Sequence, residues 1–527
     1  MVEKKAVSNR HRFNKLGYLS AFVLKKSTIF NRSSNPCRMT SLEKYFEPYR
    51  KHIIGHDTYY HSPYGRKKMH YFDWVASGRL YRPIEDKLTG IFGPFVGNTH
   101  SETSETGLRM TLCYRHAHEQ IKKHVHAGPN DIIITAGAGM TSVVNKLQRI
   151  LSLRTSNKRV RHECVDDRDR PVVFITHMEH HSNQTSWYET IADVVMIPPS
   201  DSLLVDPDSL RKIIGEYSDR KFKIGAFTAC SNVTGIITPY HELARIMHEN
   251  QGLCFVDFAA SAPYVDIDMH PPDPLQKLDA IYFSPHKFLG GPGSCGVLVF
   301  DSSLYQSDIP DDPGGGTVDW TNPWGEYKYV DDIESREDGG TPGFLQTLRA
   351  ALAMKLKEKM GVSRIMQREE ELVDLAMTGL QSIPGITVLA GRSEHRLGII
   401  SFFHKEIHFN LIVKLLSDHF GIQVRGGCAC AGTYGHFLLE VSYDRSHQIT
   451  EKINHGDLSE KPGWVRISLH PVMTDAELRY FLDALKAVVD NHQEWKKDYI
   501  YNPKKNEFEH RSLSALSSDW LQEWFNL

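Results

Sequence analysis

The sequence has no stretch of eighteen uninterrupted apolar residues, which argues against a transmembrane helix. Its eight cysteines are few for 527 residues and never form a Cys-x-x-Cys pair. The sequence therefore predicts neither a disulfide framework nor a structural metal site, and it fits a reducing compartment. The net charge is only −2, so no charge excess points to a nucleic acid or a membrane as partner. What is left is an ordinary globular composition in a chain long enough for two or three domains.

Short apolar runs that end in polar residues stand out in residues 253–300. Leu253–Val256 runs into Asp257, and Ala280–Phe283 runs into Ser284-Pro285-His286-Lys287. Such runs are typical of buried strands in a parallel or mixed sheet. Because open α/β sheets carry their chemistry at the carboxyl ends of the strands, we expect Asp257 and Lys287 to lie there together. The alternative is a buried salt bridge in an ordinary α/β core.

A carboxylate and an amine at one sheet edge suit pyridoxal phosphate. This cofactor needs a lysine for its Schiff base and a carboxylate that keeps its ring nitrogen protonated. With Asp257 closing one strand and Ser-x-His-Lys closing another about thirty residues later, the chain resembles class V aminotransferases, which are fold-type I enzymes. It is most similar to their group II cysteine desulfurase and selenocysteine lyase branch. The resemblance implies an α/β fold, with a mostly parallel seven-stranded sheet in a large domain and a smaller C-terminal α+β domain.

A predicted strand, Asp131–Thr135, leads into a Gly-rich turn and then into a helical pattern. Backbone N–H groups and the positive end of a helix make such a turn suitable for an anion. The resemblance places the cofactor phosphate here, on Gly139, Met140 and Thr141. The family's usual Thr-Glu pair is replaced by Met140-Thr141.

The same resemblance implies further contacts with the cofactor and the substrate. His180, in a Glu-His-His-x-Asn segment, would stack on the pyridine ring and move protons, tasks that suit a flat group titrating near neutrality. Asn232 would lie near the phenolic oxygen, Ser284 and His286 would also contact the cofactor, and Asn183 would contact the substrate.

One position departs from the family's pattern. Group II desulfurases carry a glutamine three residues after the aspartate, and this chain has Ala260 there. An alanine side chain cannot form a hydrogen bond, so the electronic environment of the ring would differ.

The reaction depends on the segment Gly421–Ala431. Aligned on Val424-Arg425, the family's nucleophilic cysteine falls on Cys430, whose thiolate would take the sulfur of the substrate as a persulfide. Cys428 is an additional cysteine that would either resolve the persulfide or be a passive small residue. The resemblance makes Arg466 the clamp for the substrate α-carboxylate, a task that suits a guanidinium fork, and it places Arg425 at the substrate.

The family also implies an assembly. Its Gly-Thr-Pro segment corresponds to Gly340-Thr341-Pro342 here, and the threonine would reach the cofactor phosphate of the neighbouring subunit. Thr341 therefore predicts a homodimer with shared active sites, and a desulfurase would also need a sulfur-acceptor protein.

The predicted organisation has four parts. Residues 1–40 are basic and would be a disordered or targeting segment, 41–335 the large domain, 336–497 the small domain, and 498–527 a tail with Trp520 and Trp524 in an amphipathic helix. We expect a cytoplasmic protein, or a mitochondrial one if residues 1–40 are a transit peptide.

Three functions stay open at this point. The first is a cysteine desulfurase or selenocysteine lyase that uses Cys430. The second is transamination, β-elimination or epimerisation of another amino acid, which would not need Cys430. The third is a pseudoenzyme or scaffold, against which the joint presence of Lys287, Asp257, His180 and Arg466 argues.

Overall fold

The computed structural model describes residues 41–99, 101–154, 166, 168–393, 395–512 and 519–527. The basic segment predicted at residues 1–40 lies outside this range. Within it, no helix is both long enough and apolar enough to cross a membrane.

The strands in chain order are β1 (Tyr59–Ser62), β2 (Gly65–Lys68), β3 (His70–Tyr71), β4 (Asp131–Ala136), β5 (Val172–Ile175), β6 (Asp193–Met196), β7 (Lys223–Thr228), β8 (Leu253–Asp257), β9 (Ala280–Phe283), β10 (Gly296–Asp301), β11 (Val318–Thr321), β12 (Tyr327–Tyr329), β13 (Ile386–Val388), β14 (Ile399–His404), β15 (Ile422–Gln423), β16 (Arg425–Gly427), β17 (Trp464–Ser468), β18 (Tyr499–Asn502) and β19 (Glu507–His510). The α-helices span Ser41–Arg50, Arg82–Lys87, Glu105–His124, Met140–Ile150, His181–Tyr188, Pro207–Ile214, Tyr240–Glu249, Ile333–Arg336, Phe344–Met360, Val362–Ser382, Phe409–Phe420, Gly432–Leu438, Tyr443–Asn454, Asp475–Trp495 and Asp519–Phe525.

Seven strands form the central sheet, in the order β4-β10-β9-β8-β7-β5-β6. Strand β10 runs antiparallel to both of its neighbours, and the pairs from β9 to β6 are parallel. Every residue of β5, β7 and β9 is buried, because helices or loops cover both faces of the sheet. The predicted α/β class and the mostly parallel seven-stranded sheet are confirmed.

A second, antiparallel sheet has the order β13-β14-β17-β16 and packs against helices such as Asp475–Trp495. Strand β3, near the start of the chain, pairs in parallel with β15, and Ser468 N–H donates to Phe72 O at 2.7 Å. The segment that we assigned to the large domain therefore also contacts the C-terminal sheet. The predicted boundary near residue 335 stays a prediction.

Residues 301–343 are rich in glycine and proline. They contain the β11–β12 hairpin and the short helix Ile333–Arg336. The buried Lys146 Nζ lies 3.3 Å from Asp311 Oδ2 and 2.8 Å from Glu337 Oε2, so this segment is attached to the helix Met140–Ile150. The tail forms the β18–β19 hairpin, which the sequence analysis did not predict, and the helix Asp519–Phe525, which it did.

Candidate active site

A cavity of about 200 Å³ opens at the carboxyl edge of the central sheet. Residues that follow β5, β7, β8 and β9 line it, as the parallel arrangement of these strands requires. Residues of β16 and β17 line the opposite wall. The cavity therefore lies between the two sheets.

Asp257 and Lys287 both line this cavity, as predicted from their positions after strands. Asp257 Oδ1 accepts a hydrogen bond from Ala259 N–H at 2.8 Å. Burial lowers the pKa of Lys287 to about 8, although Asp257 acts in the opposite direction. Burial likewise raises the pKa of Asp257 to about 6, opposed by the Ala259 N–H and by Lys287. Near neutral pH the cavity thus holds a carboxylate and an amine with an accessible neutral form.

His180 lies between β5 and the helix His181–Tyr188 and lines the cavity. Its Nδ1 accepts a hydrogen bond from Ser182 N–H at 3.1 Å, which fixes the ring at the start of that helix. Burial, and then the nearby Lys287, lower the pKa of His180 to about 3. The imidazole is therefore neutral at physiological pH, and its flat ring forms part of the cavity wall.

The Gly-rich turn after β4 forms the start of the helix Met140–Ile150. Met140 N–H donates to Ser284 Oγ at 2.8 Å, and the hydroxyls of Thr141 and Ser182 lie 2.7 Å apart. A Cβ on Gly139 would lie 3.0 Å from Ser284 Oγ, so glycine permits the close approach of the two loops. Hydroxyl groups and a helix N-terminus here meet at one end of the cavity.

Arg466 on β17 lies at the opposite side of the cavity and is only 2% exposed. Its Nη2 lies 2.7 Å from Asp73 Oδ1, and its Nη1 donates to Asn232 O at 3.1 Å. Its Nε is buried without a hydrogen-bond partner in the described part of the chain. Burial lowers the pKa of Arg466, and Asp73 counteracts this shift. Asp73 is thus the counterion of the arginine that the sequence assigned to the substrate.

Arg425 on β16 is paired with Arg466 across the C-terminal sheet, so the two guanidinium groups enter the cavity side by side. Arg425 Nη2 lies 3.6 Å from the sulfur of Cys430. Cys430 itself is partly buried and stands behind Arg425 and Ala429, both of which line the cavity. The predicted nucleophile therefore lies next to residues that line the cavity and is not one of them.

The sequence of residues 70–481 matches the family model described as Aminotransferase class-V, which covers most of the chain. The chain belongs to the class-V aminotransferase family. It is accordingly a pyridoxal-phosphate-dependent enzyme, as the sequence predicted.

Within the class-V family, the chain is similar to proteins named cysteine desulfurases. It is 29% identical over 371 residues to a probable cysteine desulfurase of Halalkalibacterium halodurans, covering 68% of this chain and 84% of the relative. A probable cysteine desulfurase of Staphylococcus epidermidis is 28% identical, covering 69% of this chain and 84% of that relative. The structure of a cysteine desulfurase from Thermococcus onnurineus NA1 superposes with a TM-score of 0.68 at 21% identity, covering 87% of this chain and 100% of that one. This structural similarity supports the fold.

Most of the predicted site residues of this class-V enzyme meet around the cavity. Those that line it are Met140, Thr141, His180, Asn232, Asp257, Ser284, His286, Lys287, Arg425 and Arg466. Gly139 lies against Ser284, and Cys430 lies behind Arg425. Asn232 lines the cavity, its Nδ2 donates to Ala429 O at 2.7 Å, and its buried Oδ1 has no hydrogen-bond partner within the described residues.

The structure does not bring Asn183 or Thr341 to the cavity. Asn183, on the helix His181–Tyr188, is fully buried. Its Nδ2 donates a hydrogen bond to Glu179 Oε2 at 2.7 Å, and its Oδ1 accepts one from Tyr282 OH at 2.6 Å. The expectation that Asn183 contacts the substrate is therefore wrong, because its side chain turns back towards the sheet. Thr341 is exposed on the 301–343 segment, so its predicted contact with a neighbouring subunit stays a prediction.

Several residues of the site were not predicted. Asp73, the counterion of Arg466, had no predicted role, and Ser182, Thr228 and Cys230 line the cavity without having been assigned one. Ser182 could have been predicted to lie at the site, because it is only two residues after His180 in the sequence. Burial raises the pKa of the Cys230 thiol far above its ordinary range, so Cys230 is a protonated wall residue.

Proposed function

We propose that the cavity holds pyridoxal 5'-phosphate, with Lys287 as the covalent attachment point and Asp257 as the partner of the ring nitrogen. The donor set fits this group, because an amine with a pKa of about 8 and a carboxylate occur in one cavity. His180 offers a neutral, flat face for the ring. The cofactor, when bound, supplies an electron sink for chemistry at the α-carbon of an amino acid.

The phosphate end of the cofactor fits the Gly-rich turn. The start of the helix Met140–Ile150 supplies backbone N–H groups and the positive end of a helix dipole. Ser284, Thr141 and Ser182 add hydroxyl groups, and His286 lines the same end. Burial lowers the pKa of His286 to about 4, so this imidazole is neutral at physiological pH and can donate from only one ring nitrogen.

Arg466 would bind the α-carboxylate of the substrate. Its guanidinium is buried in the cavity wall, and its Nε has no hydrogen-bond partner among the described residues, so a donor remains for an incoming carboxylate. Asp73 and the carbonyl of Asn232 hold the other two nitrogens. The fork is thereby oriented before the substrate arrives.

We infer that the reaction is cysteine desulfuration, or the matching selenocysteine lyase reaction. The observation that carries this proposal is the thiol of Cys430, which lies 3.6 Å from a nitrogen of Arg425, a residue that lines the cavity. The curated relatives described above carry the name cysteine desulfurase. In the proposed step the Cβ–S bond of L-cysteine breaks and a bond between that sulfur and Cys430 forms. Cysteine and the Cys430 thiol thus give alanine and a Cys430 persulfide, with no external oxidant.

Replacement of Cys430 by alanine tests this proposal. We expect Cys430→Ala to lose alanine formation from L-cysteine by at least about 100-fold, because the sulfur acceptor is gone. The matched control is Cys428→Ala, which removes a cysteine from the same loop and should retain most single-turnover alanine formation. The cofactor absorbance of both variants should equal that of the wild type.

The alternative is a class-V reaction that does not use Cys430, such as transamination, β-elimination or epimerisation. Cys430 stands behind Arg425 and Ala429, an arrangement that would also suit a passive cysteine. Unchanged turnover in Cys430→Ala, or pyruvate in place of alanine, would favour this alternative. Lack of any cofactor absorbance in the wild type after incubation with pyridoxal phosphate would favour a scaffold.

We also propose a homodimer in which Thr341 reaches the partner's cofactor phosphate, and transfer of the sulfur to an acceptor protein. The exposed position of Thr341 and the exposed apolar side chain of Leu112, beside the helix Phe344–Met360, support a second copy as the partner. Light scattering of the purified protein tests the dimer. A monomer with intact cofactor binding would refute shared active sites.

A further inference from the structure

The loop that carries Cys430 has a strained backbone. This loop, residues 427–431, connects β16 to the helix Gly432–Leu438, and we call it the cysteine loop. Ala429 has φ 51° and Cys430 has φ 57°, so two consecutive residues with side chains occupy the left-handed region. Residues other than glycine adopt this region at a cost, and such strain persists only where the surroundings impose it. The conformation of the cysteine loop therefore depends on what holds it.

Three hydrogen bonds from the central-sheet side hold the cysteine loop. His181 N–H donates to Cys430 O at 2.8 Å, and His181 Nε2 accepts from Gly432 N–H at 2.9 Å. Asn232 Nδ2 donates to Ala429 O at 2.7 Å. His181, the first residue of the helix His181–Tyr188, thus binds the backbone twice directly after the Cys430 side chain, at Cys430 O and at Gly432 N–H.

A neighbouring contact strengthens the same junction. Gln184, one turn further along the helix His181–Tyr188, exchanges hydrogen bonds with Thr433 at 2.8 and 3.0 Å. His180, immediately before this helix, faces the cavity. The start of the helix His181–Tyr188 therefore both places His180 at the cavity and holds the cysteine loop.

His181 can accept a hydrogen bond only if its Nε2 carries no proton. Burial, and then the charge of Lys461, lower the pKa of His181, so the acceptor form predominates at neutral pH. The side chain is partly buried against the loop, and a Cβ on Gly432 would lie 3.3 Å from Nε2. The contact is thus close and leaves no room for water between the two groups.

We propose that His181 is a positioning residue that holds the cysteine loop in its strained form and keeps the thiol of Cys430 beside Arg425. The role of that thiol rests on the proposed function, whereas the attachment of the loop does not. Loss of the acceptor should release the strain and let Cys430 turn outwards.

Two substitutions separate the acceptor from the packing of the ring. His181→Leu removes the acceptor, and His181→Gln supplies an oxygen that can accept from Gly432 N–H. The matched control is His436→Leu, because His436 lies on the helix Gly432–Leu438 and, among the described residues, its ring bonds Gly432 O and Ser446 Oγ and not the helix His181–Tyr188. If His181→Leu does not fold, His181→Asn takes its place, since its shorter side chain cannot reach Gly432.

The first measurement is the rate of Cys430 alkylation by iodoacetamide in the substrate-free holoenzyme. Mass spectrometry follows the Cys430 peptide in a Cys428→Ala background, so that the peptide carries one thiol. Loss of one hydrogen bond should raise this rate about tenfold in His181→Leu. His181→Gln should stay within about threefold of the parent, and His436→Leu should not differ from it. Equal rates in the parent and His181→Leu, or equal acceleration in both His181 variants, would overturn the proposal.

The second measurement is alanine formation from L-cysteine. His181→Leu should lower kcat about tenfold with KM changed less than about twofold, because the thiol is displaced while Arg466 still binds the carboxylate. A rise in KM with unchanged kcat would contradict a role in holding Cys430. If the wild type forms no alanine, the proposed function fails, and the alkylation rates still decide whether His181 holds the loop.

Discussion

Lys287 should react with pyridoxal phosphate at a pH far below that expected of an ordinary lysine. Burial lowers the pKa of its amine from 10.5 to about 8. At pH 7 about a tenth of the amine is then neutral, against about 0.03% for an ordinary lysine, a gain of about 300-fold in the nucleophilic form. The rate of covalent attachment should therefore rise with pH and level off above about 8.

Charged neighbours fix the direction in which this profile moves. Asp257 raises the pKa of Lys287, so Asp257→Asn should move the profile to lower pH. Arg425 lowers that pKa, and Arg425→Gln should move the profile to higher pH. Each shift should be on the order of one pH unit for a single charge near a partly screened amine.

The assay mixes apoenzyme with pyridoxal phosphate at a series of pH values. Samples are reduced with borohydride at timed intervals, and the cofactor fixed on Lys287 is quantified by mass spectrometry. The ionisation of the cofactor is common to all three proteins, so differences between their profiles belong to the protein. A wild-type midpoint near 10.5, or shifts of the two variants in the same direction, would refute the reasoning.

Two further substitutions test the walls of the site. Asp73→Ala leaves the buried Arg466 without its counterion and should lower the free energy of unfolding by about 2–3 kcal/mol. This loss is smaller than the usual cost of breaking a buried pair, because Asp73 is partly exposed. Added formate should restore part of the lost stability in a thermal melt, and a melting temperature unchanged by the substitution would contradict the pairing. Gly78→Ala places a Cβ 2.0 Å from Phe288 O, so it should displace Lys287 and lower the amount of covalently bound cofactor at least about tenfold. Gly90→Ala is the control, because nothing lies near the added Cβ, and it should bind cofactor normally. Equal amounts of bound cofactor in the two variants would contradict this prediction.

The catalytic edge of the sheet could be predicted because it follows from local patterns. Apolar runs that end at Asp257 and just before Ser284 mark buried strands, and parallel strands bring their carboxyl ends to one edge. The Gly-rich turn before Met140 was recognisable for the same reason, since a strand, a turn and a helix follow one another directly.

Contacts between distant segments could not be predicted from these patterns. The pairing of Asp73 with Arg466 joins residues 393 positions apart, and the local sequence around either residue does not indicate its partner. Asn183 was assigned to the substrate through the resemblance of its Glu-His-His-x-Asn segment to the family, but in a helix three residues turn a side chain by most of a full turn. Its amide therefore meets Glu179 and Tyr282 at the sheet.

The pairing of β3 with β15 has a consequence for the synthesis of the chain. Tyr71 is paired with Gln423, so strand β3 must wait during synthesis for a strand made about 350 residues later. At the usual speed of translation, roughly 5–20 residues per second, the wait lasts roughly 20–70 s. The central sheet can close in that interval, while the early segment, including Phe72 and Trp74, stays exposed. Truncation of the chain before β15 would leave β3 without its partner strand.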